Sequence, residues 1–131
     1  MRAFEWLPSL IAALSAFALG GLWYSPLLFG KAWQREAGLS DEQLAGANRL
    51  RTFGVSFLLC LLAAIAFSMV ITPEAGFFMA FHSGVGIGLF WVATSFGVNY
   101  LFEQRSLKLW LINAGYHSLQ FTLYGLVFGL M

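Results

Sequence analysis

Charge is what this chain has least of. Charged residues make up 10% of its 131 residues, seven basic against six acidic, where a soluble domain carries roughly a quarter. A net charge of +1 provides no concentrated basic surface, which argues against nucleic acid as a partner. Cysteine is reduced to Cys60, so no internal disulfide can form. The two histidines lie in no Cys/His cluster with zinc-ligand spacing, so no metal and no cofactor is expected. What fills the chain instead is apolar: 60% of residues are hydrophobic. A soluble fold of that composition would expose large apolar patches and aggregate.

The few charges are segregated. Seven lie between Lys31 and Arg51 and three between Glu103 and Lys108; the rest are Arg2, Glu5 and Glu74. Between them run four stretches without Asp, Glu, Lys or Arg, each near the ~20 residues that a helix needs to cross the hydrocarbon. Helices satisfy their own backbone hydrogen bonds, which lipid cannot do. The fold class predicted is therefore an all-α membrane protein in one domain, residues 1–131. Its four spans fall at about 7–24, 53–71, 77–98 and 109–130, with a structured cytoplasmic loop over 25–52. Ala16-Phe17-Ala18 mimics a signal-peptide cleavage site, but Glu5 offsets Arg2 and cleavage would export a basic loop, so the first run reads as a retained span.

Alternate loops hold Lys31, Arg35, Arg49, Arg51, Arg105 and Lys108 on one side, against Arg2 on the other. Basic loops stay in the cytoplasm. The expectation is a multi-pass protein of the bacterial inner membrane with both termini outside. Pro8 suits a helix start, Ser25-Pro26 a helix end, and Thr72-Pro73 a short outer turn. Trp23, Tyr24, Trp33 and Trp110 read as an inner aromatic belt and Trp6 as an outer one. Trp91 falls mid-span and reads as packing or pocket wall.

In the loop, Leu27 to Trp33 suits a segment lying in the interface. Ser40-Asp41-Glu42-Gln43 reads as a capping box with Ser40 as N-cap. The helix it starts is expected to run through Arg49 and Arg51 into the second span.

The stretch Gly21-Leu22-Trp23-Tyr24-Ser25-Pro26-Leu27-Leu28-Phe29-Gly30-Lys31-Ala32-Trp33 resembles the hallmark of a family of uncharacterised bacterial membrane proteins, domain of unknown function 1761. Asn99-Tyr100-Leu101-Phe102-Glu103 and Leu109 to His117 are similar to it as well. The resemblance covers essentially the whole chain. It implies a four-helix inner-membrane protein and no activity or residue roles.

Within the spans the polar residues are the candidates for function. Asn113, His117, Gln120 and Tyr124 share one face of the fourth helix, which should avoid lipid. Such groups are functional candidates by default, though many only tie helices together. His82 sits on the third helix, about 10–15 Å from His117 in depth, too far to share a metal within one chain. Gly84, Gly86 and Gly88 below it could line a narrow outward pocket. Small residues also form close-packing faces at Ala80-Gly84-Gly88, Ala12-Ala16-Gly20 and Gly125-Gly129. Three such faces exceed the needs of one bundle and favour a homo-oligomer.

Three functional readings follow, with the lipid bilayer as the first partner in each. One is a non-enzymatic protein binding or passing a small solute or a proton, through the stripe and histidines. The absence of carboxylates from the spans counts against cation exchange. The alternative is a structural or assembly protein docking on itself or on a larger membrane complex. The third is a lipid-acting enzyme using His117 with Tyr124, or His82; it lacks the carboxylate or metal cluster such a site usually has, so no catalytic residue is assigned.

Overall fold

The computed structural model describes residues 6–71 and 73–131. Arg2, Glu5 and Thr72, which entered the reading above, lie outside the described residues. The described chain is helical, with no strand. In chain order its helices are α1 (Trp6–Trp23), α2 (Gly30–Ala37), α3 (Asp41–Ala45), α4 (Arg49–Val70), α5 (Gly76–Gly86), a π-helical turn (Ile87–Val92), α6 (Ala93–Phe102) and α7 (Leu107–Leu130).

By length and composition three stretches can cross a membrane: α1, α4 and the continuous helix Gly76–Phe102. At 1.5 Å per residue they are about 27, 33 and 40 Å long. α7 is long enough, at 24 residues, but Asn113, His117 and Gln120 leave it less apolar than the other three. Position explains this. α7 has eight buried residues, twice as many as any other helix, because α5, the π turn and α6 cover one side of it and α1 another. A helix screened from lipid by its neighbours can carry polar groups that an outer helix cannot.

α4 is the opposite case. It packs mainly on α1 and buries only Ala64, Phe67 and Ser68. Phe53, Leu58, Leu59 and Leu62 are each more than half exposed. An apolar surface of that extent belongs against lipid or another protein. The core between the helices is made of small residues and rings: Ala12 and Ala16 from α1, Ala64 and Phe67 from α4, Ala80 from α5, Tyr124 and Phe128 from α7.

All three small-residue faces are spent inside the chain. A Cβ on Gly84 would collide with the Phe121 carbonyl oxygen and lie 3.0 Å from its carbon. On Gly88 it would lie 2.7 Å from Ser118 Cα, and on Gly125 2.5 Å from the Ala80 oxygen. Ala12 and Ala16 are fully buried, and Gly20 faces the Tyr116 ring. The surplus of faces that favoured an oligomer is therefore absent. Van der Waals contact at such short range is what holds membrane helices together.

The π turn sets which residues of the third apolar run meet α7. It inserts one extra residue per turn, rotating everything after it by about 100° relative to an unbroken α-helix. Continuing the Ala80-Gly84-Gly88 face at α-helical spacing would bring Trp91 and Ser95 onto α7. Instead Ala93 is buried and Phe96 and Tyr100 are half-buried, while Trp91, Ser95 and Asn99 are exposed. Trp91 is 68% exposed and lines an open groove, so of its two readings, packing or pocket wall, only internal packing is corrected.

The capping box forms as expected. Gln43 N–H donates to Ser40 Oγ at 3.1 Å, and the Ser40 N–H donates to Gln43 Oε1 at 2.8 Å. The helix it starts does not run into α4. α3 ends at Ala45, Asn48 is extended (φ −77°, ψ 99°), and its Oδ1 accepts from the Arg51 N–H at 3.0 Å. A second N-cap beginning a new helix explains the break.

Candidate functional site: the polar stripe of α7 and the corner that meets it

The hallmark stretch builds a corner. α1 ends at Trp23, and the Ser25 hydroxyl donates back to the Leu22 carbonyl at 2.7 Å. The chain then folds on itself: Phe29 N–H donates to Trp23 O at 3.0 Å and Gly30 N–H to Ser25 O at 2.9 Å. Trp23 and Phe29 rings pack 4.6 Å apart, and Tyr24 meets Trp33 at 5.7 Å. Gly30 allows this closeness. A Cβ there would collide with the Tyr24 carbonyl oxygen and sit 2.8 Å from Ser25 carbon and oxygen. Pro26 and Lys31 stay at the surface.

The corner then docks on α7. Trp23 Nε1–H donates to the Ile112 carbonyl at 2.9 Å, and its ring lies against Gly115. The Tyr24 hydroxyl donates to Asn113 Oδ1 at 2.7 Å. Two expected belt residues, Trp23 and Tyr24, thus point into the bundle. So does Trp110, whose Nε1–H donates to the Ala93 carbonyl at 2.9 Å. Gly30→Ala should open the corner and cost about 1–3 kcal/mol, the usual range for forced overpacking. Limited proteolysis between residues 24 and 48 should quicken, while Gly54→Ala on α4, where a Cβ meets nothing within 4 Å, should leave it unchanged.

Along α7 the stripe forms two hydrogen-bonded groups. Asn113 is the hub of the first: it accepts from Tyr24, and its Nδ2–H donates to the Tyr100 hydroxyl at 2.7 Å. One amide thereby ties the end of α1, α6 and α7 together. The second group runs in one direction. His117 Nδ1–H donates to Gln120 Oε1 at 2.6 Å, Gln120 Nε2–H donates to the Tyr124 hydroxyl at 2.9 Å, and Tyr124 donates to the Cys60 carbonyl at 2.7 Å. The chain of donors ends on the α4 backbone. Beside it the Tyr116 hydroxyl donates to Ala16 O at 2.8 Å, which makes α1 part of the bundle's hydrogen bonding. Gln120 and Tyr124 are buried, and a buried amide or phenol is held at low cost only when paired in this way.

His117 stacks on Phe96 at 5.0 Å and meets Tyr116 edge-on. Its Nε2 has no partner among the described residues. The only buried side-chain polar atom lacking one among the described residues is Ser9 Oγ, so His117 Nε2 reaches the surface of the bundle.

His82 and the glycines below it face different surroundings. His82 is exposed, donates from Nδ1 to the Phe78 carbonyl at 2.7 Å, and lies among Phe78 and Phe81. Gly84 and Gly88 are filled by the α7 backbone, and a Cβ on Gly86 would meet nothing within 4 Å. Close helix packing accounts for Gly84 and Gly88. Two open grooves are found elsewhere. One of about 690 Å³ lies between Glu36–Gly38 and Glu103–Ser106; one of about 330 Å³ is lined by Trp91, Val92, Ser95, Phe96 and Asn99. Neither is lined by a stripe residue. Among the described residues no three His, Cys, Asp or Glu side chains are grouped to hold a metal.

The reading of the stripe missed Tyr24 and Tyr100 as its partners. The available signal was that both fall within stretches carrying the family resemblance. No curated protein and no solved structure is detectably similar to the chain. The family described as Protein of unknown function (DUF1761) matches residues 7–129, taking in the corner, the π turn and the whole stripe; the chain belongs to that family.

Proposed function

We propose that this is a structural protein of the bacterial inner membrane, non-enzymatic, crossing it four times with both termini outside. It acts through the surfaces it presents to a membrane partner or to another copy of itself. α7 is the fourth span, its polar groups screened by α1, α5 and α6. One observation carries the reading: the stripe is consumed as adhesive. Asn113 bonds to Tyr24 and Tyr100, and Gln120 and Tyr124 complete a chain ending on the Cys60 carbonyl.

The solute or proton reading retains one specific support, His117, whose Nε2 is left over at the bundle surface. Reconstitution in liposomes with an entrapped pH dye separates the two. The structural reading predicts no proton flux above empty liposomes, and an Asn113→Leu variant less stable by about 1–2 kcal/mol from two lost intramembrane bonds. A flux that His117→Phe abolishes while the fold stays intact would establish the proton role instead.

A further inference from the structure

The N-terminal half of α4 stands clear of the bundle. Every residue from Arg49 to Ser56 is exposed, and a stretch of two turns covers all faces of a helix. The residues that α4 buries, Ala64, Phe67 and Ser68, lie on its other half. One stripe runs along the free half and beyond it. Arg51, Val55, Leu58 and Leu62 follow the helical repeat and share one face. Its three apolar members are 49%, 61% and 62% exposed. Arg51 is exposed, Arg49 lies in the same turn, and that turn holds no acid. Neither arginine forms an ion pair among the described residues. Along the helix axis Leu62 lies about 16 Å from Arg51, the scale of an acyl chain below its headgroup.

We infer that this stripe holds an anionic phospholipid, its phosphate on Arg51 and one acyl chain along Val55, Leu58 and Leu62. Charge selects the occupant. Two guanidinium groups with no acid beside them favour an anionic headgroup over a zwitterionic one, each cation near an anionic surface being worth about fivefold. A guanidinium also takes a phosphate through two parallel hydrogen bonds. A second copy docked on the same face about a parallel two-fold axis would set Arg51 against Arg51. A partner's helix would need the close approach that small residues provide in membranes. The stripe has no small residue, and the small-residue faces of this protein are filled by its own helices. Branched aliphatic side chains suit the looser packing of an acyl chain. Arg51 stands at the cytoplasmic edge of the second span on the membrane reading above, on which this inference rests.

Phosphatidylglycerol carrying a diazirine on its acyl chain, mixed into phosphatidylethanolamine nanodiscs that hold the protein, tests it. On irradiation the label should concentrate on the α4 peptide spanning residues 55–62, above Leu14 on α1 and Leu111 on α7, which are also exposed apolar residues. Phosphatidylcholine with the same diazirine should show no such concentration. Arg51→Gln keeps the N–H that donates to Asn48, so helix content should hold while the label falls about fivefold. Lys108→Gln removes the same charge and should leave the label unchanged. Equal labelling from the two lipids overturns the site, as does an equal loss in the two variants, since either reduces the arginines to general membrane attraction. A protein that cross-links to the stripe in native membranes and excludes the probe overturns it as well. Carbonate extraction of those membranes keeps two failures apart. A protein that is released contradicts the membrane reading itself; one that is retained but unlabelled on α4 contradicts only the lipid site.

Discussion

Deleting Leu89 should unfold the helix pair that any single substitution only weakens. Removing one residue from Ile87–Val92 restores α-helical register and turns α6 by about 100°. Phe96 then leaves His117, Tyr100 leaves Asn113, and the Ala93 carbonyl leaves the Trp110 indole, contacts now at 5.0, 2.7 and 2.9 Å. Trp91 and Ser95 would swing onto α7 in their place. The expected loss is on the order of 4 kcal/mol or more, the range reached when a buried network and its packing are lost together. Leu89→Ala keeps the register at a position already 46% exposed and should cost less than about 1 kcal/mol. Comparing the two by unfolding in a mild detergent isolates register from side-chain loss. A deletion no worse than Leu89→Ala would remove the π turn from the account.

Gly84→Ala should lower stability by about 3 kcal/mol, at the upper end of overpacking. The new methyl would strike the Phe121 carbonyl and lie 3.2 Å from Gly125 Cα. Both are backbone atoms of α7 and cannot turn aside as a flexible side chain would. The helices must separate along their closest contact, where small residues let attraction act at short range. Gly86→Ala, two residues along the same helix, meets nothing within 4 Å and should be neutral or gain up to about 1 kcal/mol from helix propensity. The melting temperature in detergent should fall by roughly 10 °C for the first and hold or rise for the second. A fall at both positions would point to a ligand space around the glycines; equal tolerance would mean that α5 and α7 are not in close contact.

Much of this arrangement was legible before any coordinates. The helices fall on the apolar runs because lipid-facing and core-facing surfaces are both apolar, and the charges mark where the chain leaves the hydrocarbon. The Ser40 capping box is a local pattern and forms locally. The shared face of Asn113, His117, Gln120 and Tyr124 followed from helical spacing alone. What escaped depends on a shift of register or on tertiary partners. Ile87-Gly88-Leu89-Phe90-Trp91-Val92 reads as ordinary apolar helix, so the π turn, the outward Trp91 and the inward Phe96 carried no signal. Trp23, Tyr24 and Trp110 have the composition of an interfacial belt, and only the nearby backbone carbonyl or amide turns each of them inward. Gly84 and Gly88 looked like a pocket wall because the α7 residues that fill them, Phe121 and Ser118, lie thirty or more residues away in sequence.

If the α7 stripe is an internal adhesive with no water reaching it, Cys60 reports that without any mutation. It is the sole cysteine, half-buried, and its carbonyl is the last acceptor of the His117–Gln120–Tyr124 chain at 2.7 Å. Intact membranes exposed on either side to a charged, membrane-impermeant maleimide should leave Cys60 unlabelled until detergent unfolds the chain, because the thiolate that reacts needs water. Rapid labelling from one side of the intact membrane would show an aqueous path to the stripe and contradict the account.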